Sequence, residues 1–181
     1  MKSERPRMSK INNSNVYLTL QYFAFLGLFF FAFSCTRLPN VQGKGETYMQ
    51  GIWNEDSLGI QKKMQVYTQH RFKFSCDSFY VDFTTRAKVN YYGEECFNKG
   101  IWHEYAKGTY EVRNDSLFLV GDFTKSNYKQ KISGCYRTGR YINRFIIKAK
   151  DSKHINLLNL SDNTTILLNL KEKINCVPQA L

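Results

Sequence analysis

From His70 onward, apolar and polar side chains alternate with a period of two. Phe72, Phe74 and Cys76 share one face while Arg71, Lys73 and Ser75 share the other, which is the spacing of a half-buried strand. Beyond Asp77-Ser78, a turn pair, Phe79, Val81 and Phe83 alternate with Tyr80, Asp82 and Thr84, and Ala87, Val89 and Tyr91 set Lys88 and Asn90 outward. The pattern therefore predicts three strands in immediate succession. Further strands are expected at 102–106, 109–113, 116–123, 128–133, 141–148, 154–160 and 164–170. Their separators are Lys107-Gly108, Asn114-Asp115, Thr124 to Asn127, Asp151 to Lys153 and Ser161 to Asn163. With an opening strand at Gly51-Ile52-Trp53 this makes about eight to ten short strands and no convincing helix. An all-β antiparallel meander closed into a barrel is the economical arrangement, because closure leaves no exposed sheet edge.

The alternation is absent from Val16 to Ser34, a nearly unbroken apolar run that stops at Cys35. Lys2, Arg5, Arg7 and Lys10 precede it, and small residues stand at Ala32 and Ser34, the layout of a secretory signal peptide. The expected organisation is a signal peptide over 1–34, a flexible tether over 35–48 and one β-barrel domain over 49–181. The segment resembles a bacterial lipoprotein signal, which implies lipidation of Cys35 and a membrane attachment through that lipid. Plain secretion and an uncleaved anchor are the alternatives. Removing Cys35 from the five cysteines leaves four, an even set suited to an oxidising compartment. In the Bacteroidetes-type lipoproteins that this segment resembles, an acidic pair after the cysteine marks export to the cell surface; none follows Cys35, so the resemblance implies a cell-envelope protein, lipid-anchored on a periplasm-facing outer membrane.

Net charge sharpens this picture. The 181-residue chain carries +11 at neutral pH, and only the four basic residues named above, against Glu4, fall in its first 34. The remaining excess draws the domain towards an anionic glycolipid, a polysaccharide or a protein partner; nucleic acid is not expected. The basic excess is densest at Lys129, Lys131, Arg137, Arg140, Arg144 and Lys148, where Tyr128, Tyr136 and Tyr141 are interleaved. This is a candidate basic, aromatic surface, or the solvated face of two strands. Trp53, Trp102, Tyr105 and Tyr110 are candidates for lining a ligand cavity or closing a barrel end.

No catalytic or nucleotide-binding motif occurs, and His70, His103 and His154 lack metal spacing, so neither a catalytic residue, a metal nor a cofactor is expected. Cys76, Cys96, Cys135 and Cys176 are read as two disulfides rather than a zinc site. Cys76 ends the first of three successive strands and Cys96 follows the third, which places both at one end of the sheet. The pairing expected is therefore Cys76 with Cys96, and Cys135 with Cys176.

Two resemblances add to these readings. Gly51-Ile52-Trp53 resembles the G-x-W that opens the first strand of lipocalins and lipocalin-like bacterial domains, which implies a tryptophan closing one barrel end. Gln42 to Gly45, Phe72 to Tyr80, Glu104 to Gly108 and Phe123 to Tyr136 resemble a group of small Bacteroidetes envelope lipoproteins. Members of that group often carry the name fumarate hydratase. The expected function is a non-enzymatic envelope binding module for an apolar or anionic ligand or a partner protein; the alternatives are a hydro-lyase, as that family name implies, and a structural or inhibitory envelope factor acting through the basic face. The resemblance carries no functional residue across, and no fumarase signature loop or cluster-binding cysteine pattern accompanies it.

Overall fold

The computed structural model describes residues 41–57, 59, 61–90 and 92–180; the expected signal peptide and Cys35 lie outside them. Eight strands follow one another: β1 (Gly51–Glu55), β2 (Val66–Ser75), β3 (Ser78–Ala87), β4 (Ile101–Arg113), β5 (Ser116–Thr124), β6 (Arg140–Lys150), β7 (His154–Asn159) and β8 (Thr165–Lys173). Each pairs antiparallel with the next, and β8 returns to pair with β1, so the sheet is a closed barrel in chain order. Among the described residues, one short α-helix, α1 (Glu94–Phe97), and 3-10 turns at Gln61–Lys63 and Asn98–Gly100 lie between the strands.

Several expected strands prove to be parts of longer ones. Phe79, Val81, Phe83 and Thr85 all face inward along β3, which runs unbroken to Ala87 and leaves 88–90 outside the sheet. Lys107-Gly108 is not a turn but the middle of the 13-residue β4. Gly108 lies directly opposite Gly121 of β5, and a Cβ on Gly108 would come within 2.1 Å of the Val120 carbonyl oxygen. The two glycines let adjacent backbones approach where strands bend around a barrel corner. The strand expected at 128–133 is instead part of the loop 125–139, touched only by a bridge between Thr124 and Gln130.

The longer β3 overturns the expected disulfides. Ten residues of strand span about 33 Å, so Cys76 at the start of β3 and Cys96 beyond its end lie at opposite ends of the barrel. The observed bonds are Cys76–Cys176 and Cys96–Cys135, each joining segments at one end. One expected reversal too many had put Cys96 beside Cys76.

Inward residues fill the barrel from one end. Trp53, Phe72, Phe74, Phe79, Val81, Leu117, Leu119, Phe145, Ile155, Leu157 and Leu168 form a continuous buried core. Residues 41–50 plug that end. Gln50 acts as a strand substitute: its Oε1 accepts from the Cys76 amide at 2.7 Å, and its Nε2 donates to the Cys76 carbonyl at 2.8 Å and to the Tyr110 hydroxyl at 2.9 Å. The Tyr110 hydroxyl also accepts from the Glu46 amide, and Trp53 Nε1 donates to the Met49 carbonyl at 2.7 Å. Gly45 sits so close to the Cys76 carbonyl that a Cβ there would come within 1.8 Å, and its φ is +59°. Thus residues 41–48, within the span expected as a flexible tether, are bonded to the barrel, and Gln42 also pairs with Gln179 of the C-terminal tail.

Candidate functional site: the open end of the barrel

The opposite end carries the loops 56–65, 88–100, 125–139 and 160–164, and beneath them the packing stops. A cavity of about 700 Å³ opens there, with Phe83, Phe123, Tyr141 and Ile166 in its wall and Glu55, His70, Thr68, Arg137, Arg140 and Asn159 among its polar lining. That volume suits a small amphiphile or a single chain of a lipid.

Register builds the polar part. His70 lies opposite Phe83, and Phe83 lies opposite Glu104, so one layer of inward side chains carries two carboxylates. Both are satisfied locally. Glu55 Oε2 accepts from His70 Nδ1 at 2.6 Å and from the His70 amide at 2.8 Å, and Oε1 accepts from Gln61 Nε2 at 2.8 Å. The imidazole stacks on Phe72 and meets Phe83 edge-on. With Nδ1 held by the carboxylate, Nε2 is the nitrogen left to a ligand.

Glu104, whose side chain is 4% exposed, is saturated by one residue of a distant loop. Its Oε1 accepts from the Arg137 amide at 3.0 Å and from Arg137 Nε at 2.9 Å, while Oε2 accepts from Arg137 Nη2 at 2.9 Å and Trp102 Nε1 at 3.3 Å. The guanidinium sits over Phe83 and Phe123, with ring centroids 4.9 and 4.8 Å from its carbon. This fork geometry requires arginine rather than lysine. Beside it Tyr136 stacks on Trp102 at 5.2 Å, its hydroxyl donates to the Cys96 carbonyl, and Cys96 is bonded to Cys135. The loop 125–139 is thereby clamped along one side of the mouth.

Tyr141 lines the cavity, and its buried hydroxyl lacks a hydrogen bond of good geometry among the described residues. Burial pushes this phenol up to about 12, against the opposing influence of Asn143 and Arg137. Tyr110, in the plugged end, is likewise pushed up to about 12, chiefly by burial.

The structure separates the candidates that sequence grouped. Trp53 and Tyr110 belong to the plugged end, and Trp102 flanks the mouth. Tyr105 does not line the interior: it lies on the outer wall, where its ring meets Tyr128 at 6.1 Å. The six basic candidates do not share a face. Arg137 turns in to Glu104, and Arg140 lines the cavity with Asp122 3.7 Å away. Lys131 donates to the carbonyls of Cys135 and Arg137 within its own loop. Lys129 is an exposed residue of that loop, Lys148 is exposed on β6, and Arg144 lies on the outside over Phe118 at 5.0 Å. Among the described residues no cluster of side chains suited to a metal occurs.

Glu55 and Glu104 escaped sequence reading, although a signal for them exists. Gly-Ile-Trp occurs again at 100–102, and both copies continue as Gly-Ile-Trp-x-Glu, at 51–55 and 100–104. A carboxylate two residues from an inward tryptophan on a strand must itself face inward, and a carboxylate there needs a partner.

A closed eight-stranded antiparallel barrel, packed at one end and opening on a cavity at the other, defines the protein as a lipocalin-like barrel. Beyond that class, comparison with known proteins finds no matching family model, no matching curated protein and no matching solved structure.

Proposed function

We propose that this protein is a non-enzymatic binding module of the cell envelope that holds an amphiphile with an anionic head in the open end of the barrel. The cavity of about 700 Å³ carries this reading. Its aromatic wall matches an apolar chain, and Arg140 suits an acidic head at the rim. Two oxidised cysteine pairs support an extracytoplasmic address. Attachment through a lipid on Cys35, on the periplasmic side of an outer membrane, completes the proposal.

Dansylated undecanoic acid tests it by fluorescence titration. Asn143→Trp, which fills the cavity from β6, should abolish binding. Arg140→Glu should weaken the anionic probe about tenfold, or about 1.4 kcal/mol, and leave the neutral probe N-phenyl-1-naphthylamine unchanged. Undiminished binding by the Asn143→Trp protein would refute a cavity site.

The Glu55–His70 pair is the observation that favours the alternative, a hydro-lyase. A carboxylate holding Nδ1 leaves Nε2 able to accept a proton at the cavity wall. Fumarate hydration by the purified protein, abolished in His70→Gln, would establish that reading; its absence at millimolar substrate would remove it.

A further inference from the structure

The two ends of the barrel differ in the residues their loops expose. Among the described residues, large apolar side chains stand exposed at Met64, Val89, Tyr92, Ile132 and Leu160 on the four loops of the open end, with Ile132 83% exposed. The segments of the plugged end expose Val41 and Val177. Charge divides the same way. Counting described side chains, the open-end loops carry seven lysines and arginines against four acids, whereas the segments 41–50, 76–77, 114–115, 151–153 and 174–180 carry two against four. Strand ends add Arg86 and Arg140 to the open rim and Arg113, Lys150 and Lys173 to the plugged one, so the difference lies in the loops.

An exposed isoleucine is common by itself. Apolar tips on every loop of one rim, interspersed with lysines and opening on an apolar-walled cavity, form a pattern that water does not reward. The geometry points to the open end as a docking surface for an anionic lipid bilayer. The apolar tips enter the interfacial region, Lys63, Lys99, Lys125 and Lys129 sit among acidic headgroups, and the cavity mouth faces the lipid. Each such lysine is attracted to an anionic surface, and each apolar tip that enters the interface leaves water. Neither suffices alone, and together they make binding that is reversible and dependent on lipid charge. The consequence is a route: an amphiphile passes between bilayer and barrel without crossing water. The docking goes beyond the cavity reading and stands apart from it, while the route rests on it.

The test uses the full chain with a tryptophan introduced at either end, at exposed positions where the fold tolerates it. Ile132→Trp reports the open end and Val177→Trp the plugged end. Vesicles of phosphatidylcholine with a third phosphatidylglycerol, carrying brominated acyl chains, should shift the emission of the Ile132→Trp protein to the blue and quench most of the added signal. The Val177→Trp protein should not respond, and Ile132→Trp combined with Lys125→Glu and Lys129→Glu should lose its response. Attachment of every variant to the vesicle through the N-terminal apolar segment leaves the position-specific signal unaffected. Equal response from both ends, response from Val177→Trp alone, no response from either, or an unchanged response on neutral vesicles would overturn the docking. So would an Ile132-dependent dimer in sedimentation, which would assign the apolar tips to a second copy. Cavity occupancy is read separately by the dansyl probe, so either idea can fail without the other.

Discussion

The plugged and open ends of this barrel use the same devices to opposite effect. Each has a disulfide, a tryptophan donating to a nearby oxygen and a loop folded back over the strands. At the plugged end these devices surround an apolar core, and the Gln50 amide is spent on the Cys76 backbone and the Tyr110 hydroxyl. At the open end they surround a cavity, whose buried polar groups include two carboxylates, one held chiefly by a histidine and the other by an arginine. Packing makes the first end a foundation; at the second, polar side chains held by partners line a mouth that leucines in their place would fill. The comparison separates the packed end from the end that carries the candidate site.

Breaking the foundation should have the largest effect. On the chain-entropy account, the Cys76–Cys176 link, with a sequence separation of 100, contributes about 4.7 kcal/mol and Cys96–Cys135, with 39, about 3.9 kcal/mol. Loss of the first also loosens the Gln50 contacts. Replacing Cys76 and Cys176 by alanine should therefore lower the urea midpoint more than replacing Cys96 and Cys135, which should impair probe binding more than stability. Phe74→Ala, deep in the core, should cost about 3–5 kcal/mol in the same measurement.

Removing Glu104 should separate the ends more finely. Arg137 is 47% exposed at its side chain, so Glu104→Ala should cost about 2 kcal/mol and free the loop 125–139. Faster amide exchange in that loop, with unchanged protection in β2 and β3, is the expected signature.

Alkaline pH reaches both ends through Tyr110 and Tyr141. Each phenol is raised from 10.0 to about 12 in the fold. The folded state therefore keeps protons that the unfolded chain releases, and stability is full below pH 10 and falls between about pH 10 and 12. Stability measured across that window should decline less steeply in Tyr110→Phe and Tyr141→Phe. The smallest effect is expected at the tips: Ile132→Ser should change stability by less than about 0.5 kcal/mol.

Much of the barrel was legible in the period-two pattern, because an inward position on a half-buried strand has to be apolar. Strand ends were less legible. Gly108 reads as a turn in one dimension, and only its partner Gly121 across the ladder reveals a close approach. The disulfide pairing failed for the same reason: it depends on counting reversals, and one misjudged strand end moves a cysteine by the length of the barrel. At the candidate site, Trp102 and Arg137 were visible as residue types, yet neither composition nor spacing shows that Arg137 crosses to Glu104, 33 positions away in the chain.

The sequence by itself determined an all-β barrel, an even set of four cysteines after Cys35 and a basic domain, since alternation, cysteine count and charge are properties of the chain as written. Tertiary structure alone decided which end is packed, which cysteines meet and where the basic residues go. Those outcomes depend on register and closure, which bring together strands that local sequence cannot relate.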